Sequence, residues 1–336
     1  MSGPVRIGLL GCGRIGAMHA ELIARRVPGA ELAAVYDVVD DAAASVAAAF
    51  GARVATSPAG VHGADDVDAV AICSSTDTHI DLLLEVAAAG KPAFVEKPLS
   101  LDLAEVDRGI AAATEAGIAV QVGFNRRFDA AHRQVRDRVA SGDLGDVHLV
   151  RISSRDPDPP PIPYIEVSGG IFCDMTIHDF DMARFVTGSE ALEVYATGAV
   201  RVDPAIGEAG DLDTAVVVVT HASGAITTID NSRRAVYGYD QRLEAFGSAG
   251  MACSDNPPSA TARYWDTDGS HGLPLPHFFL ERYTPSYLAE WDGFVAMVGG
   301  APSPVSLADG RAPLVMGLAA WKSVREGRPV AVSEIG

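Results

Sequence analysis

A glycine-rich segment near the N-terminus constrains the fold more than any other feature of the chain. It reads Gly-Cys-Gly-Arg-Ile-Gly over residues 11–16, after the apolar run Val5–Leu10 and before the helical pattern of Met18, Leu22 and Ile23. A strand, a turn of this spacing and a helix open a dinucleotide-binding fold, in which the glycines allow a tight turn, close approach of a pyrophosphate and helix–strand packing. We therefore predict a phosphate-binding turn made by Gly11, Gly13, Arg14, Ile15 and Gly16.

The second predicted strand ends in an acidic residue. Glu31–Tyr36 reads as a strand, and Asp37 follows it, about 20 residues after the glycines. A carboxylate there accepts hydrogen bonds from a ribose 2′-OH and repels a 2′-phosphate. No arginine stands at Val38 or Val39 to bind such a phosphate. The sequence therefore favours NAD over NADP.

Strands and helices alternate up to about residue 124. Further strands are predicted at 68–73, 93–95 and 119–124, and helices at 79–89 and 101–116. Such alternation predicts a doubly wound parallel sheet, whose ligands bind at the carboxyl ends of the strands. The residues at these ends that we expect to contact the cofactor are Ser74, Thr76, His79, Glu96 and Lys97.

Lys97 has two possible interpretations. It could be a surface lysine paired with Glu96. However, it follows a strand end on the ligand side, and Pro98 restricts it to extended backbone conformations. An ammonium at this edge could bind a substrate hydroxyl and stabilise alkoxide character. This position favours a catalytic role.

The pattern changes after residue 124. Helices are predicted at 130–141, 285–298 and 307–325, strands at 147–154, 191–202, 214–221, 225–233 and 241–247, and a hairpin turn at 221–224. We expect a Rossmann domain over residues 1–124 and an α+β domain over 125–336, whose last helix packs back on the first domain. The second domain would contain an open, mostly antiparallel sheet with one face available to another subunit.

A carboxylate and an imidazole four residues apart are the second candidate centre. Gly169 and Gly170 precede a helical pattern over residues 174–186, which would place Asp174 and His178 one turn apart on one face. A carboxylate beside an imidazole fixes its tautomer and raises its basicity, as a general base acting on an alcohol requires. The alternatives are a helix-capping Asp174 and a core His178. A divalent metal held together with Asp181 is disfavoured, because Lys97 already supplies positive charge.

Composition excludes several classes of protein. The net charge of −18 argues against binding to nucleic acid or an anionic membrane, and no apolar run is long enough to span a bilayer. The four cysteines are far apart and form no zinc spacing, which favours reduced thiols and a cytoplasmic location. They are Cys12, Cys73, Cys173 and Cys253.

The motifs together resemble those of a known family. The glycine turn, Glu96-Lys97-Pro98 and Gly169-Gly170 followed by Asp174-x-x-x-His178 are similar to the glucose–fructose oxidoreductase-like dehydrogenases. Four segments are similar to its inositol 2-dehydrogenase branch: 154–157, 174–181, 231–242 and 278–283. The resemblance covers nearly the whole chain.

The resemblance implies NAD-dependent oxidation of a cyclic polyol, with myo-inositol as the expected substrate, 2-keto-myo-inositol (scyllo-inosose) as the product and a homotetramer assembled through the open sheets. It implies catalytic roles for Lys97, Asp174 and His178. It also places Arg127, Tyr237 and Tyr283 near the polyol, although on spacing alone the two tyrosines are more often packing residues. Another inositol isomer, an aldose, or a non-catalytic NAD-binding sensor are the alternatives.

Overall fold

The computed structural model describes residues 3–336, which form two compact units. The first unit contains the chain up to Asn125 together with Tyr287–Ala312. The second unit contains Arg126–Ser286 and Pro313–Gly336. The chain therefore leaves the first unit after residue 125, returns to it at residue 287 and leaves it again after residue 312.

A six-stranded parallel sheet forms the centre of the first unit. Its strands are β1 (Val5–Leu10), β2 (Ala30–Tyr36), β3 (Arg53–Val54), β4 (Ala69–Ile72), β5 (Ala93–Glu96) and β6 (Val120–Gly123), in the order β3-β2-β1-β4-β5-β6. The helices between them are α1 (Arg14–Arg25), α2 (Asp40–Phe50), α3 (Ala59–His62), α4 (His79–Ala88) and α5 (Leu103–Ala116). The predicted doubly wound sheet is confirmed, and its strand order reverses between β1 and β4, where such sheets bind ligands.

The strands of this sheet are apolar because both faces are covered. Every residue of β4 is buried, as are Ala93–Val95 of β5. The segment that returns at residue 287 adds an aromatic cluster: Trp291 and Phe294 are fully buried, and Trp291 stacks on Phe94 with ring centroids 4.8 Å apart. This burial of aromatic surface fixes the returning helix to the unit.

A seven-stranded sheet forms the second unit. Its strands are β7 (Val147–Arg155), β8 (Ala191–Ala199), β9 (Thr214–His221), β10 (Ile226–Ser232), β11 (Asp240–Gly247), β12 (Gly250–Ser254) and β15 (Val330–Ala331), and a separate hairpin pairs β13 (Arg263–Asp266) with β14 (Gly269–Gly272). The order is β12-β11-β7-β10-β9-β8-β15, and among these pairs only β7 and β10 run parallel. The predicted open and mostly antiparallel sheet is confirmed.

Helices cover one face of this sheet. The helices of this unit are α6 (Ala130–Ala140), α7 (Ile162–Ile165), α8 (Gly170–Asp174), α9 (Thr176–Thr187) and α10 (Pro204–Glu208); α11 (Phe279–Val298) and α12 (Leu307–Glu326) contribute residues to both units. Alternate strand residues such as Val150, Ile152 and Val217 are buried in one core with Phe180 of α9 and Met316 of α12. None of the helices within residues 3–336 is both long and apolar enough to cross a membrane.

Two predicted boundaries differ from the structure by three residues or more. The strand expected to reach residue 202 ends at Ala199, and α10 follows because the Asp203 side chain accepts a hydrogen bond from the Ala205 amide as its N-cap. The helix expected to begin at Pro285 begins at Phe279, so that proline lies inside it. A proline lacks only one backbone donor, and the buried face of α11 compensates for this loss.

Candidate active site

The glycine turn between β1 and α1 has space for a ligand at one position. Gly11 has φ +98°, and a Cβ there would lie 2.5 Å from the Ser74 amide nitrogen. A Cβ at Gly16 would collide with the carbonyl oxygen of Gly11. By contrast, a Cβ at Gly13 would meet no atom within 4 Å. Because protein packing does not require this glycine, the open space before the N-terminus of α1 fits the pyrophosphate of a dinucleotide.

Asp37 lies beside this turn. Its Oδ2 accepts a hydrogen bond from the Cys12 amide at 2.6 Å, and its Oδ1 accepts one from the Val39 amide at 2.8 Å. Each carboxylate oxygen can accept a second bond. The half-buried carboxylate is therefore held at the end of β2 with capacity for a further donor, and its contact with a ribose hydroxyl stays a prediction.

His79 joins the ends of two neighbouring strands. It is buried, and its Nδ1 and Nε2 lie 2.9 Å from the Pro98 carbonyl oxygen and 3.1 Å from that of Ser74. Burial lowers the pKa of the ring, whereas the two carbonyl groups act against this shift. These contacts hold the loops after β4 and β5. Ser74 and Thr76 are only partly buried at this edge, and their contact with a cofactor remains a prediction.

Glu96 and Lys97 occupy the end of β5. Lys97 is half-buried and precedes Pro98 through a cis peptide bond. Glu96 Oε1 lies 2.7 Å from Nε2 of the buried His19, and Glu96 Oε2 accepts a hydrogen bond from the Lys97 amide at 3.1 Å. The acid next to the predicted catalytic lysine therefore has partners that the local sequence does not reveal.

In the second unit, Asp174 and His178 are held near a helix junction. Asp174 ends α8, Met175 has right-handed helical dihedrals, and His178 lies in the first turn of α9. The two residues therefore belong to successive helices and not to the single helix that the sequence predicts over residues 174–186. Their placement one turn apart on one face stays a prediction. Gly170 has φ +74°, and a Cβ there would lie 2.5 Å from the Trp321 ring and 2.7 Å from Asp211, so that only glycine fits.

Arg233 connects two carboxylates of this unit. Its Nη1 donates to Asp174 Oδ2 at 3.3 Å and its Nη2 donates to Asp211 Oδ2 at 3.1 Å. The Tyr164 hydroxyl donates to Asp174 Oδ1 at 2.8 Å. Since Arg233 is 1% exposed, its charge acts on these carboxylates with little screening by solvent. The orientation of Asp174 is therefore fixed by a guanidinium and a phenol.

Asp156 lies in the same electrostatic environment. Burial raises the pKa of its carboxyl to about 6. Asp174 and Asp179 add to this rise, whereas Arg126 and Arg233 oppose it. An acid with this pKa exchanges protons near neutral pH, which makes Asp156 a candidate site residue that the sequence did not single out.

A second buried cluster surrounds Arg126. Its Nη1 donates to Asp179 Oδ1 at 2.7 Å and to Ser154 Oγ at 2.9 Å. The Asn231 amide donates to the other oxygen of Asp179 at 2.8 Å. These side chains are all at most 5% exposed. The sequence gives little indication of this cluster. Ser154 and Asn231 lie in segments whose only distinguishing feature is their similarity to the inositol 2-dehydrogenase branch.

The three residues expected near a polyol have different environments. Arg127 forms a bidentate pair with Asp181 at 2.6–3.0 Å. Tyr283 is 1% exposed, its hydroxyl lies 3.5 Å from His132 Nε2, and burial raises its pKa. Tyr237 is 49% exposed and donates to Asp240 at 2.7 Å. Substrate contact by these residues stays a prediction.

Comparison with known proteins places the whole chain in one family. Residues 5–124 match the model described as "Oxidoreductase family, NAD-binding Rossmann fold", and residues 132–253 match the GFO/IDH/MocA C-terminal domain. The chain is 49% identical to the myo-inositol 2-dehydrogenase of Thermotoga maritima, over 98% of this chain and 99% of the relative. It is 46% identical to an inositol 2-dehydrogenase of Rhizobium meliloti, with the same coverage of both chains.

A solved structure supports the same assignment. The scyllo-inositol dehydrogenase of Lactobacillus casei, crystallised with NAD(H) and scyllo-inositol, has a TM-score of 0.92 and 29% identity, over 98% of this chain and 99% of that one. The likeness to these proteins extends over nearly the full length of the chain. The chain belongs to the GFO/IDH/MocA family of NAD-binding oxidoreductases.

Proposed function

We propose that this chain oxidises myo-inositol to 2-keto-myo-inositol with NAD as the hydride acceptor. The single observation that carries the proposal is the position of Asp174 and His178 at the junction of α8 and α9, where Tyr164 and Arg233 hold the Asp174 carboxylate. The glycine turn and Asp37 of the first unit, together with relatives that are named inositol 2-dehydrogenases, support this assignment.

In this proposal, His178 takes the proton of the reacting hydroxyl. Asp174 stabilises the imidazolium that forms and fixes the ring orientation. Lys97 binds the reacting oxygen and stabilises its negative charge. NAD, when bound at the glycine turn, supplies the nicotinamide that accepts the hydride. Gly11, Gly13 and Gly16 would receive its pyrophosphate, while Asp37 would bind its ribose.

The contacts of Asp174 support an electrostatic role for it. A carboxylate that accepts from Tyr164 and from buried Arg233 has a fixed orientation before any substrate binds. Preorganised charges of this kind stabilise a transition state without a reorganisation cost. Asp156, which is coupled electrostatically to Asp174 and Arg233, would respond to the charge that develops during proton transfer.

A polyol substrate suits the polar character of the second unit. Hydroxyl groups need both donors and acceptors, and the carboxylates and guanidinium groups around Asp174 supply both. The scyllo-inositol complex of a relative makes scyllo-inositol the second candidate substrate. An aldose and a non-catalytic sensor remain the alternatives that an assay separates.

The deciding experiment measures NADH absorbance with NAD and a panel of substrates: myo-inositol, scyllo-inositol, D-chiro-inositol and glucose. We expect turnover of myo-inositol, its loss in His178→Ala, and nearly unchanged NAD affinity in that variant. His62→Ala is the matched control, since His62 lies in α3 of the first unit and pairs with Glu85. Binding of NAD without turnover of any polyol would favour the sensor.

We further propose that four copies assemble through the open sheet. Met251, Phe246, Leu149 and Ile226 form a continuous register across β12, β11, β7 and β10, and are 54%, 43%, 40% and 38% exposed. An exposed apolar row of this length is typical of a surface that another subunit covers. Light scattering should give four times the mass of 35.0 kDa. Phe246→Lys should dissociate the assembly, whereas Val54→Lys, a matched exposed apolar site on β3, should not.

We also propose a cytoplasmic location, on the basis of the cysteines. All four are free thiols in the structure, and only Cys253 is exposed. Free thiols of this kind persist in a reducing compartment. Detection of the chain in the periplasmic or secreted fraction of its host would contradict this proposal.

A further inference from the structure

A chain of hydrogen bonds inside the first unit ends at Lys97. The Trp291 indole Nε1 donates to His19 Nδ1 at 3.0 Å, and His19 Nε2 lies 2.7 Å from Glu96 Oε1. Glu96 Oε2 accepts from the Lys97 amide at 3.1 Å. His19 and Trp291 are fully buried, so no solvent competes for these bonds.

The indole donor of Trp291 determines which nitrogen of His19 carries the proton. An indole N–H can only donate, so that the His19 Nδ1 which faces it must accept and cannot carry a proton. The neutral ring therefore carries its proton on Nε2, where it donates to Glu96. The contact between His19 and Glu96 is thus a hydrogen bond from a neutral imidazole and not an ion pair.

Both oxygens of Glu96 are then fixed by separate donors. The imidazole holds Oε1 and the Lys97 amide holds Oε2. Gly123 of the neighbouring strand leaves room for this carboxylate, because a Cβ there would lie 3.0 Å from Oε2. Beyond Lys97, the Pro98 carbonyl contacts His79 Nδ1 at 2.9 Å. The backbone on each side of Lys97 is therefore held by a different buried imidazole: that of His19, acting through Glu96, and that of His79.

We propose that His19 and Trp291 are positioning residues for Lys97, acting through Glu96. This inference rests on the proposed function, in which Lys97 binds the reacting oxygen. The ring of Trp291 selects the tautomer of His19, His19 orients the Glu96 carboxylate, and that carboxylate fixes the amide from which the Lys97 side chain extends. A small displacement of the Lys97 side chain would lower kcat strongly and would change the affinity for NAD only slightly.

Another buried acid near Glu96 is consistent with this arrangement. Glu290 is fully buried, and neither of its carboxyl oxygens has a hydrogen-bond partner among residues 3–336. Burial, reinforced by Glu96, raises its pKa well above its ordinary value, so that Glu290 is neutral. Burial likewise raises the pKa of the Cys73 thiol, and Glu96 and Glu290 add to this rise. Of these two acids, Glu96 is the one that His19 and the Lys97 amide contact.

The test compares three variants of the full-length chain with a packing control. His19→Leu removes the donor to Glu96, His19→Gln restores an N–H donor at a similar position, and Trp291→Phe removes the indole donor while keeping an aromatic ring. Phe294→Leu is the control, since Phe294 packs on Trp291 with ring centroids 5.3 Å apart and takes no part in the hydrogen bonds. The measurements are kcat, KM and NAD affinity from pH 6 to 9, and 15N NMR of the imidazoles.

In His19→Leu we expect kcat to fall by about tenfold to a hundredfold with little change in NAD affinity, and His19→Gln to recover most of this loss. In Trp291→Phe, Nδ1 becomes free to bind a proton, so that the pH profile should change on its acidic side. Phe294→Leu should leave kcat and the pH profile unchanged. The wild-type NMR spectrum should show His19 protonated on Nε2 alone.

Equal losses of kcat in His19→Leu and His19→Gln would overturn the proposal, as would a pH profile that changes in Phe294→Leu in the same way as in Trp291→Phe. So would a proton on Nδ1 of His19. These outcomes differ from a failure of the proposed function, in which the wild-type protein itself turns over no inositol. The NMR measurement does not depend on turnover and tests the tautomer in either case.

Discussion

Two glycines of the glycine turn are expected to have different roles: Gly13 leaves space for a ligand, whereas Gly16 is required by the packing of the fold. A Cβ at Gly13 meets no atom within 4 Å, and its φ of −67° is ordinary for any residue. We therefore expect Gly13→Ala to change the free energy of unfolding of the NAD-free protein by less than about 0.5 kcal/mol. A Cβ at Gly16 collides with the Gly11 carbonyl oxygen. Gly16→Ala should cost about 1–3 kcal/mol through overpacking.

Gly13→Ala should lower the affinity for NAD much more than it lowers the free energy of unfolding. The added methyl group of Gly13→Ala would occupy the space in which a pyrophosphate approaches the N-terminus of α1. Loss of one hydrogen bond to a charged group costs about 1.5–3 kcal/mol, which corresponds to a rise in Kd of roughly 10-fold to 150-fold. Gly13→Ala is thus expected to be stable but to bind NAD weakly.

Urea denaturation of the NAD-free protein measures the free energy of unfolding, and calorimetric titration measures the Kd for NAD. The wild type and both variants are compared under the same conditions. If Gly13→Ala destabilises the NAD-free protein as much as Gly16→Ala does, the space at Gly13 is not reserved for a ligand. Wild-type NAD affinity in Gly13→Ala would contradict the assignment of the turn to the pyrophosphate.

Three further predictions concern other parts of the chain. Gly170→Ala should lower the free energy of unfolding by about 1–3 kcal/mol more than Gly188→Ala does. Both glycines have positive φ, but only a Cβ added at Gly170 would meet close neighbours. Equal urea midpoints would contradict this prediction. Asp37→Ala should weaken NAD binding far more than NADP binding, and equal losses in titrations would exclude a ribose role. Because its folded pKa is raised, Asp156 destabilises the fold as pH rises from 4 to 6, by at most about 3 kcal/mol. Asp156→Asn should remove this dependence in urea titrations.

Much of the first unit could be predicted because its signals are local. Strands buried on both faces read as uninterrupted apolar runs, and the predicted second strand differs from β2 (Ala30–Tyr36) by one residue. The glycine turn and Asp37 follow their strands directly. Most of the helix expected over residues 174–186 is also present, as α9 (Thr176–Thr187), because its pattern lies within one short segment.

The second unit was predicted less completely. The strands β12 to β15 are short, and β13 and β14 form a hairpin whose residues are mostly exposed, so that no alternating pattern marks them. The start of α11 was missed because Pro285 suggested a first turn. That residues Tyr287–Ala312 join the first unit depends on contacts such as that of Trp291 with His19, which are 272 positions apart in the chain.

By itself, the sequence determined the fold class and the position of the glycine turn between β1 and α1, because each depends on residues within a few positions of one another. The tertiary structure decided what each polar side chain contacts: His79 bonds to carbonyl groups, Arg127 to Asp181, and Arg233 to two carboxylates. A buried polar group must find a partner, and the fold supplies that partner from any part of the chain. The environment of Lys97 therefore became visible only once Trp291, His19 and Glu96 had been brought together.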